Sequence, residues 1–218
     1  ASHQAESFHL EILSEWISKL KLRDEDLACG PQLSSDTATA EALIQQKKPL
    51  LHLMNNCSGK HLGMLTTALF QGEPVKDYHL ASHPVQKRIA QALKELSGFD
   101  FTKANYGVDG CGIPTYSAPL KTWSIAMSSL LNSKNSSERQ KVFHSILESV
   151  MQYPELVSGS EHMDLKIQNL ARGKIILKSG AEGFCSGLLP EKGLAFAIKV
   201  LDGNARAVPG AILGVLRD

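Results

Sequence analysis

Lys174-Ile175-Ile176-Leu177-Lys178 and Leu194-Ala195-Phe196-Ala197-Ile198-Lys199-Val200 decide the fold class of this 218-residue chain. Both are short apolar runs bounded by glycine turns, the pattern of buried β-strands. The residues before them follow a helical period instead. From Phe8 to Leu22, the side chains of Leu10, Leu13, Ile17 and Leu20 recur every three or four positions, which predicts an amphipathic helix. Gly30-Pro31 breaks that unit. Thr37 to Gln46 reads as a short helix after the N-cap cluster Ser34-Ser35-Asp36. A third helix is expected from Lys60 to Phe70, with Leu62, Leu65, Leu69 and Phe70 inward. A fourth is expected from Pro84 to Leu96, opened by a proline at an early position. Two more, over 117–132 and 138–151, are joined by a polar Asn/Ser-rich connection, and a last helix covers Ala205 to Leu216. Helices come first and a strand pair comes late. The fold class is therefore α+β, with helices packed on an antiparallel sheet. The strand ending at Lys178 is expected to pair antiparallel with the strand around Phe196.

Composition narrows the function classes. The chain is 43% hydrophobic and 21% charged, with a formal net charge of +1. Near-neutrality gives no electrostatic footprint for nucleic acid or an anionic membrane surface. No apolar run approaches the ~20 residues of a membrane helix, and the first residues lack the charged-then-apolar order of a signal peptide. A cytoplasmic location follows as the default. The four cysteines (Cys29, Cys57, Cys111 and Cys185) are then expected to be reduced, which raises the question of metal binding.

Three stretches concentrate chemistry. Asn55-Asn56-Cys57-Ser58-Gly59-Lys60-His61 lies at a helix entrance, where free N–H groups and the macrodipole favour an anion or thiolate. Cys57-x-x-Lys60 or Cys57-x-x-x-His61 can aim two side chains at one centre. The plainer alternative is that Ser58 or Asn56 caps the helix while Lys60 and His61 face solvent. In the glycine-rich loop Gly107 to Tyr116, Asp109-Gly110-Cys111-Gly112 holds either a buried structural thiol or an accessible one. Taken with Cys57 and Lys60 or His61, it could complete a zinc site. A ligating lysine must first lose its proton, which a metal can drive. The third stretch, Lys178-Ser179-Gly180-Ala181-Glu182-Gly183, opens on a triplet matching the Lys-Thr/Ser-Gly element of serine β-lactamases. It reads equally as a strand followed by a glycine turn.

Together the motifs are more specific than any one of them. Asn55 to Met64, His83-Pro84-Val85-Gln86, Gly107 to Pro114, Gly180 to Gly183 and Lys199 to Gly203 occur in the order found in asparaginase II-type proteins of the rhizobial class, and Tyr153 to Gly159 fits as well. The chain resembles that family from end to end, as a single domain over 1–218 without the family's N-terminal portion. The resemblance implies a fold similar to serine β-lactamases and penicillin-binding proteins. It implies L-asparaginase activity, converting asparagine and water to aspartate and ammonia, and a zinc ion held by Cys57, Lys60 and Cys111. His61 and Asp109 would line the substrate pocket, and Ser2 with Lys178 would form one of two Ser–Lys pairs. Asparagine is the expected partner, without nucleic acid or membrane and with room for a homodimer.

The family's nucleophile belongs to a Ser-x-x-Lys element placed before all these motifs. The only such spacing here, Ser18 to Lys21, sits in an amphipathic helix and is expected to face solvent. Hydrolysis by residues 1–218 alone is therefore expected to be impaired, because an amide-cleaving serine needs an activating base. The alternative is a non-catalytic zinc- or ligand-binding remnant of the family. A β-lactam-hydrolysing enzyme is a more distant reading, resting on the Lys178-Ser179-Gly180 triplet.

Overall fold

The computed structural model describes residues 2–47, 49–132 and 138–217. The polar connection expected between the fifth and sixth helices, 133–137, lies outside them. The chain is α+β and divides into two compact units, Ala1–Ala92 with Asp100–Ser117, and Leu93–Phe99 with Ala118–Asp218.

The first unit contains α1 (Ser7–Lys19), α2 (Thr37–Gln45), α3 (Ser58–Phe70) and the start of α4 (Pro84–Ser97). It also holds a small hairpin of β1 (Tyr106–Val108) and β2 (Pro114–Tyr116). Helix α2 is capped as its sequence suggests, with Asp36 accepting the Thr39 N–H at 2.8 Å. The core gathers Leu13 and Ile17 of α1, Leu62 and Leu65 of α3, and Leu27, Leu53, Tyr78, Val85, Cys111 and Ile113. Leu69 and Phe70 do not join it and are 40% and 85% exposed. The inward face of α3 runs through Leu62, Leu65 and Ala68. At 100° per residue Phe70 is turned away from that face, whereas Leu69 lies on it, about 20° from Leu62, but in the last turn of the helix, where it stays partly exposed.

The second unit holds α5 (Leu120–Asn132), α6 (Glu138–Gln152), α7 (Met163–Leu170), α8 (Val208–Arg217) and a three-stranded antiparallel sheet. Its strands are β3 (Ile176–Ser179), β4 (Phe184–Leu189) and β5 (Leu194–Lys199), ordered β3-β4-β5. This corrects the expected pairing. Phe184–Leu189 separates the two strands legible in the sequence, so Lys178 pairs with Ser186 and Phe196 pairs with Gly187. Strand β4 carries Ser186 and Gly187 among its apolar residues, which hid it. Gly187 is needed because a Cβ there would stand 2.2 Å from the Phe196 ring.

Side-chain alternation gives the sheet two covered faces. Ile176, Leu188 and Ala195 pack with Met127, Leu131, Phe143, Leu147 and Val150 of α5 and α6. Leu177, Cys185, Phe196 and Ile198 pack with Met163 and Ile167 of α7 and Val208 and Ile212 of α8. Strand β3 is an edge strand, and α7 satisfies its outward N–H groups. Gln168 Oε1 accepts from Leu177 N at 2.7 Å, and Asp164 Oδ2 accepts from Ser179 N at 2.7 Å. Two residues along a strand and four along a helix cover similar distances, about 6 to 7 Å, so the two side chains meet two successive outward amides.

Candidate functional site

The stretch beginning at Asn55 is held by its own polar side chains. Asn55 Nδ2 donates to the carbonyls of Cys29 and Gly30 at 3.0 and 3.2 Å, and its Oδ1 accepts the Cys57 N–H at 2.9 Å. Cys57 occupies the N-cap of α3, and no side chain caps that helix. The plainer sequence alternative therefore fails. Ser58 instead donates to Leu53 O at 2.9 Å and meets His3 Nε2 at 2.8 Å. His61 is fully buried and Lys60 only partly exposed.

The loop Gly107 to Tyr116 is a hairpin, and Asp109 organises its turn. Asp109 Oδ1 accepts the N–H groups of Cys111 and Ile113 at 3.0 and 3.1 Å, and the Cys111 thiol at 3.0 Å. Gly112 completes the turn at φ +86°, a conformation costly for residues with a Cβ. The hairpin thereby delivers Cys111 and Asp109 to the entrance of α3.

Cys57, Lys60, His61, Asp109 and Cys111 converge there. Lys60 Nζ lies 3.2 Å from Asp109 Oδ2, each side chain about one-third exposed. A hydrogen bond from the Cys111 thiol outweighs burial and draws the Cys57 pKa down to about 6, with Lys60 assisting. The same bond, with burial, pushes the Cys111 thiol up, while His61 acts in the opposite direction. Burial would lower Lys60, but the two thiols and Asp109 hold its ammonium above the usual range. Burial would raise Asp109, but its bonds to Cys111, Lys60 and Ile113 keep it low. The centre is thus a Cys57 thiolate and an Asp109 carboxylate sharing the Lys60 cation, with a protonated Cys111 thiol between them.

His61 Nδ1 meets the Tyr78 hydroxyl at 2.5 Å. Its Nε2 is buried and makes no hydrogen bond of good geometry, although Cys111 is near enough for its thiol to feel the imidazole. Among the described residues, no three His, Cys, Asp or Glu side chains form a metal-binding group. The arrangement is instead two thiols and a lysine, a donor set that zinc accepts once the lysine is deprotonated.

The remaining motif residues lie apart in the chain. Ser2 is in the first unit, and the following N–H, of His3, donates to Asn56 O at 3.2 Å. Lys178 is in the second unit on β3, its ammonium donating to Ser179 O at 2.5 Å. Ser18 and Lys21 are exposed, and Lys21 has left α1 with φ +57°.

Tyr78, Asn55 and Asp164 escaped the sequence reading. Asn55 was inside a quoted motif without a role. Tyr78 and Asp164 occur in ordinary surroundings, Asp77-Tyr78-His79 and Met163-Asp164-Leu165, and only their full burial marks them. No helix among the described residues is long and apolar enough to cross a membrane. The family model for L-asparaginase II matches residues 1–218, and no curated protein matches the chain.

Proposed function

The chain belongs to the L-asparaginase II family, and from that premise we propose that the Cys57–Lys60–Cys111 centre serves hydrolysis of L-asparagine to aspartate and ammonia. The observation that carries this reading is the convergence of five polar side chains from α3 and the β1–β2 turn, with His61 Nε2 buried and unmatched among them. A carboxylate- and amide-bearing amino acid supplies what such a centre lacks. One of its oxygens can accept from His61. Its ammonium complements Asp109.

The donor set fits zinc. Cys57 is poised as a thiolate at neutral pH, the facing Cys111 thiol shares its hydrogen bond, and Lys60 reaches the same place. Cys57, Lys60 and Cys111 would hold the ion, which when bound supplies a Lewis-acidic positive charge. Asp109 would then lose Lys60 as ion-pair partner and keep its turn-forming bonds, leaving one oxygen free for a ligand. His61, which is fully buried, orients a bound oxygen.

Ser2 and Lys178 are assigned by the family resemblance to one Ser–Lys pair, the amine serving as proton acceptor for a hydroxyl. Residues 1–218 taken alone bind substrate and hydrolyse it poorly, since the only Ser-x-x-Lys spacing in them, Ser18 to Lys21, faces solvent. Absence of an activated nucleophile typically costs several orders of magnitude in rate.

The test is ammonia release at saturating asparagine, beside calorimetric binding of asparagine to the same chain. Binding without robust turnover, weakened by Asp109→Ala and His61→Ala, is expected. Robust turnover abolished by Ser2→Ala would instead place the nucleophile at Ser2. Neither binding nor turnover would leave the centre as a metal site without an amidohydrolase role.

A further inference from the structure

Tyr78 is buried, 1% exposed, and belongs to none of the motifs that define the site. Its hydroxyl accepts the Ala28 N–H at 2.9 Å and lies 2.5 Å from His61 Nδ1. The two rings meet nearly edge-on, at 86° with centroids 5.6 Å apart.

A phenol carries one proton. With its oxygen already accepting from Ala28, that proton satisfies a buried acceptor only if it points at His61 Nδ1. A proton on Nδ1 instead would leave the hydroxyl hydrogen without an acceptor among the described residues, at a place water does not reach. Burial also raises the phenol pKa, so the group remains a donor. A neutral imidazole whose Nδ1 accepts must carry its proton on Nε2. That nitrogen is the one left buried and unmatched beside the two thiols.

We propose that Tyr78 is a positioning residue that fixes His61 as the Nε2–H tautomer, presenting a hydrogen-bond donor to an oxygen of the ligand in the Cys57–Cys111 centre. This rests on the reading of that centre as a substrate pocket. In this arrangement His61 is not a proton acceptor. It recognises carboxylate or amide oxygens, whereas a ligand group offering only N–H donors meets a like donor and is disfavoured. Ala28 is part of the device, since its N–H already satisfies the hydroxyl oxygen as an acceptor and leaves the O–H to be donated to Nδ1.

The direct test is nitrogen NMR of the 218-residue chain with labelled histidine. The expected result is a single neutral His61 tautomer protonated at Nε2, giving way to a mixture in Tyr78→Phe. A wild-type proton on Nδ1, or an unchanged Nε2–H state in Tyr78→Phe, would overturn the proposal. Should Tyr78→Phe fail to fold, His61→Gln and His61→Asn decide the matter. A glutamine amide N–H reaches the place of Nε2, and an asparagine amide reaches only the place of Nδ1. With L-aspartate as the calorimetric probe, Gln should stay within about tenfold of the parent affinity and Asn should fall below it. The reverse order contradicts the proposal. No aspartate binding by the parent chain, with the Nε2–H tautomer intact, removes the substrate-pocket reading and leaves the Tyr78 assignment standing.

Discussion

The entrance of α3 and the outer edge of β3 both bury polar groups, and they do so by opposite means. Around α3 the groups are ionisable and facing one another: a thiol, a thiolate, an ammonium and a carboxylate, with an imidazole nitrogen left unmatched. At β3 the carboxylate of Asp164 is fully buried, yet both its oxygens are occupied by Ser179, the backbone N–H at 2.7 Å and the hydroxyl at 2.6 Å. The first arrangement retains unspent bonding capacity, which a ligand can use. The second is closed on itself and can only hold a strand in place. Burial of a polar side chain is thus informative about function only after its hydrogen bonds have been counted.

The sharpest way to break this comparison is metal binding. The chain is expected to take up one zinc ion, and Cys57→Ala or Cys111→Ala should weaken binding by more than the roughly 10- to 100-fold typical of losing an outer-sphere partner. Because Cys57 and Cys111 are distant in sequence, the ion binds the folded state selectively, so a chelator should lower the melting temperature of the parent and not of Cys111→Ala. Asp164→Asn should leave zinc affinity unchanged. Equal melting curves with and without chelator would remove the functional half of the contrast.

The closed arrangement answers to stability instead. Asp164→Ala leaves the Ser179 amide and hydroxyl without their acceptor, at a cost of about 2–4 kcal/mol in denaturant unfolding. A loss below ~1 kcal/mol would mean that water replaces the carboxylate and that the β3 edge is open after all.

The two regions also differed in how far sequence could reach them. Lys60, Asp109 and Cys111 stand next to glycines, and Cys57 two residues from one, in two polar turns, and such local signals survive without knowledge of the fold. Asp164 and Gln168 gain their roles only because α7 runs beside β3, and the spacing of residues 164 and 168 is indistinguishable from that of any helix. Strand β4 was missed because Ser186 and Gly187 interrupt its apolar pattern. Both residues have reasons that lie across the sheet, Ser186 opposite Lys178 and Gly187 beneath the Phe196 ring. Phe70 was misplaced because apolar character alone does not say which residues of α3 face inward, and Leu69 because a residue on the inward face is still partly exposed in the last turn of the helix.

Acid should separate the regions further. His3 Nδ1 accepts the Ala5 N–H at 3.1 Å, and Nε2 donates to Ser58, whose own proton goes to Leu53 O. Both ring nitrogens are committed in the neutral form. Burial, with His9 stacked alongside, lowers the His3 pKa from 6.5 to about 3. The unfolded chain therefore binds a proton that the folded chain refuses between those values, and stability falls as pH drops below 6.5. Between pH 7 and 5 the loss attributable to His3 is about 2 kcal/mol, a slope that His3→Gln should remove. An unchanged slope in His3→Gln would show that the imidazole is not held neutral.

The smallest effect isolates one bond of the closed arrangement. Ser179→Ala removes the hydroxyl that donates to Asp164 Oδ1 at 2.6 Å and retains the amide bond to Oδ2 at 2.7 Å. No buried N–H is orphaned. The carboxylate loses one of two donors, and His162 Nδ1, 3.8 Å from Oδ2, is too distant to replace it as a neutral partner. A lost bond to a buried carboxylate costs about 1.5–3 kcal/mol when nothing relaxes, and a rotation of Asp164 toward the amide should bring the measured value to about 1 kcal/mol. Ser179→Thr keeps the hydroxyl on a β-branched residue suited to a strand, and should cost less than Ser179→Ala. Equal losses in the two variants would mean that Ser179 contributes by fitting its small side chain against α7, and that the hydroxyl bond adds nothing to holding β3.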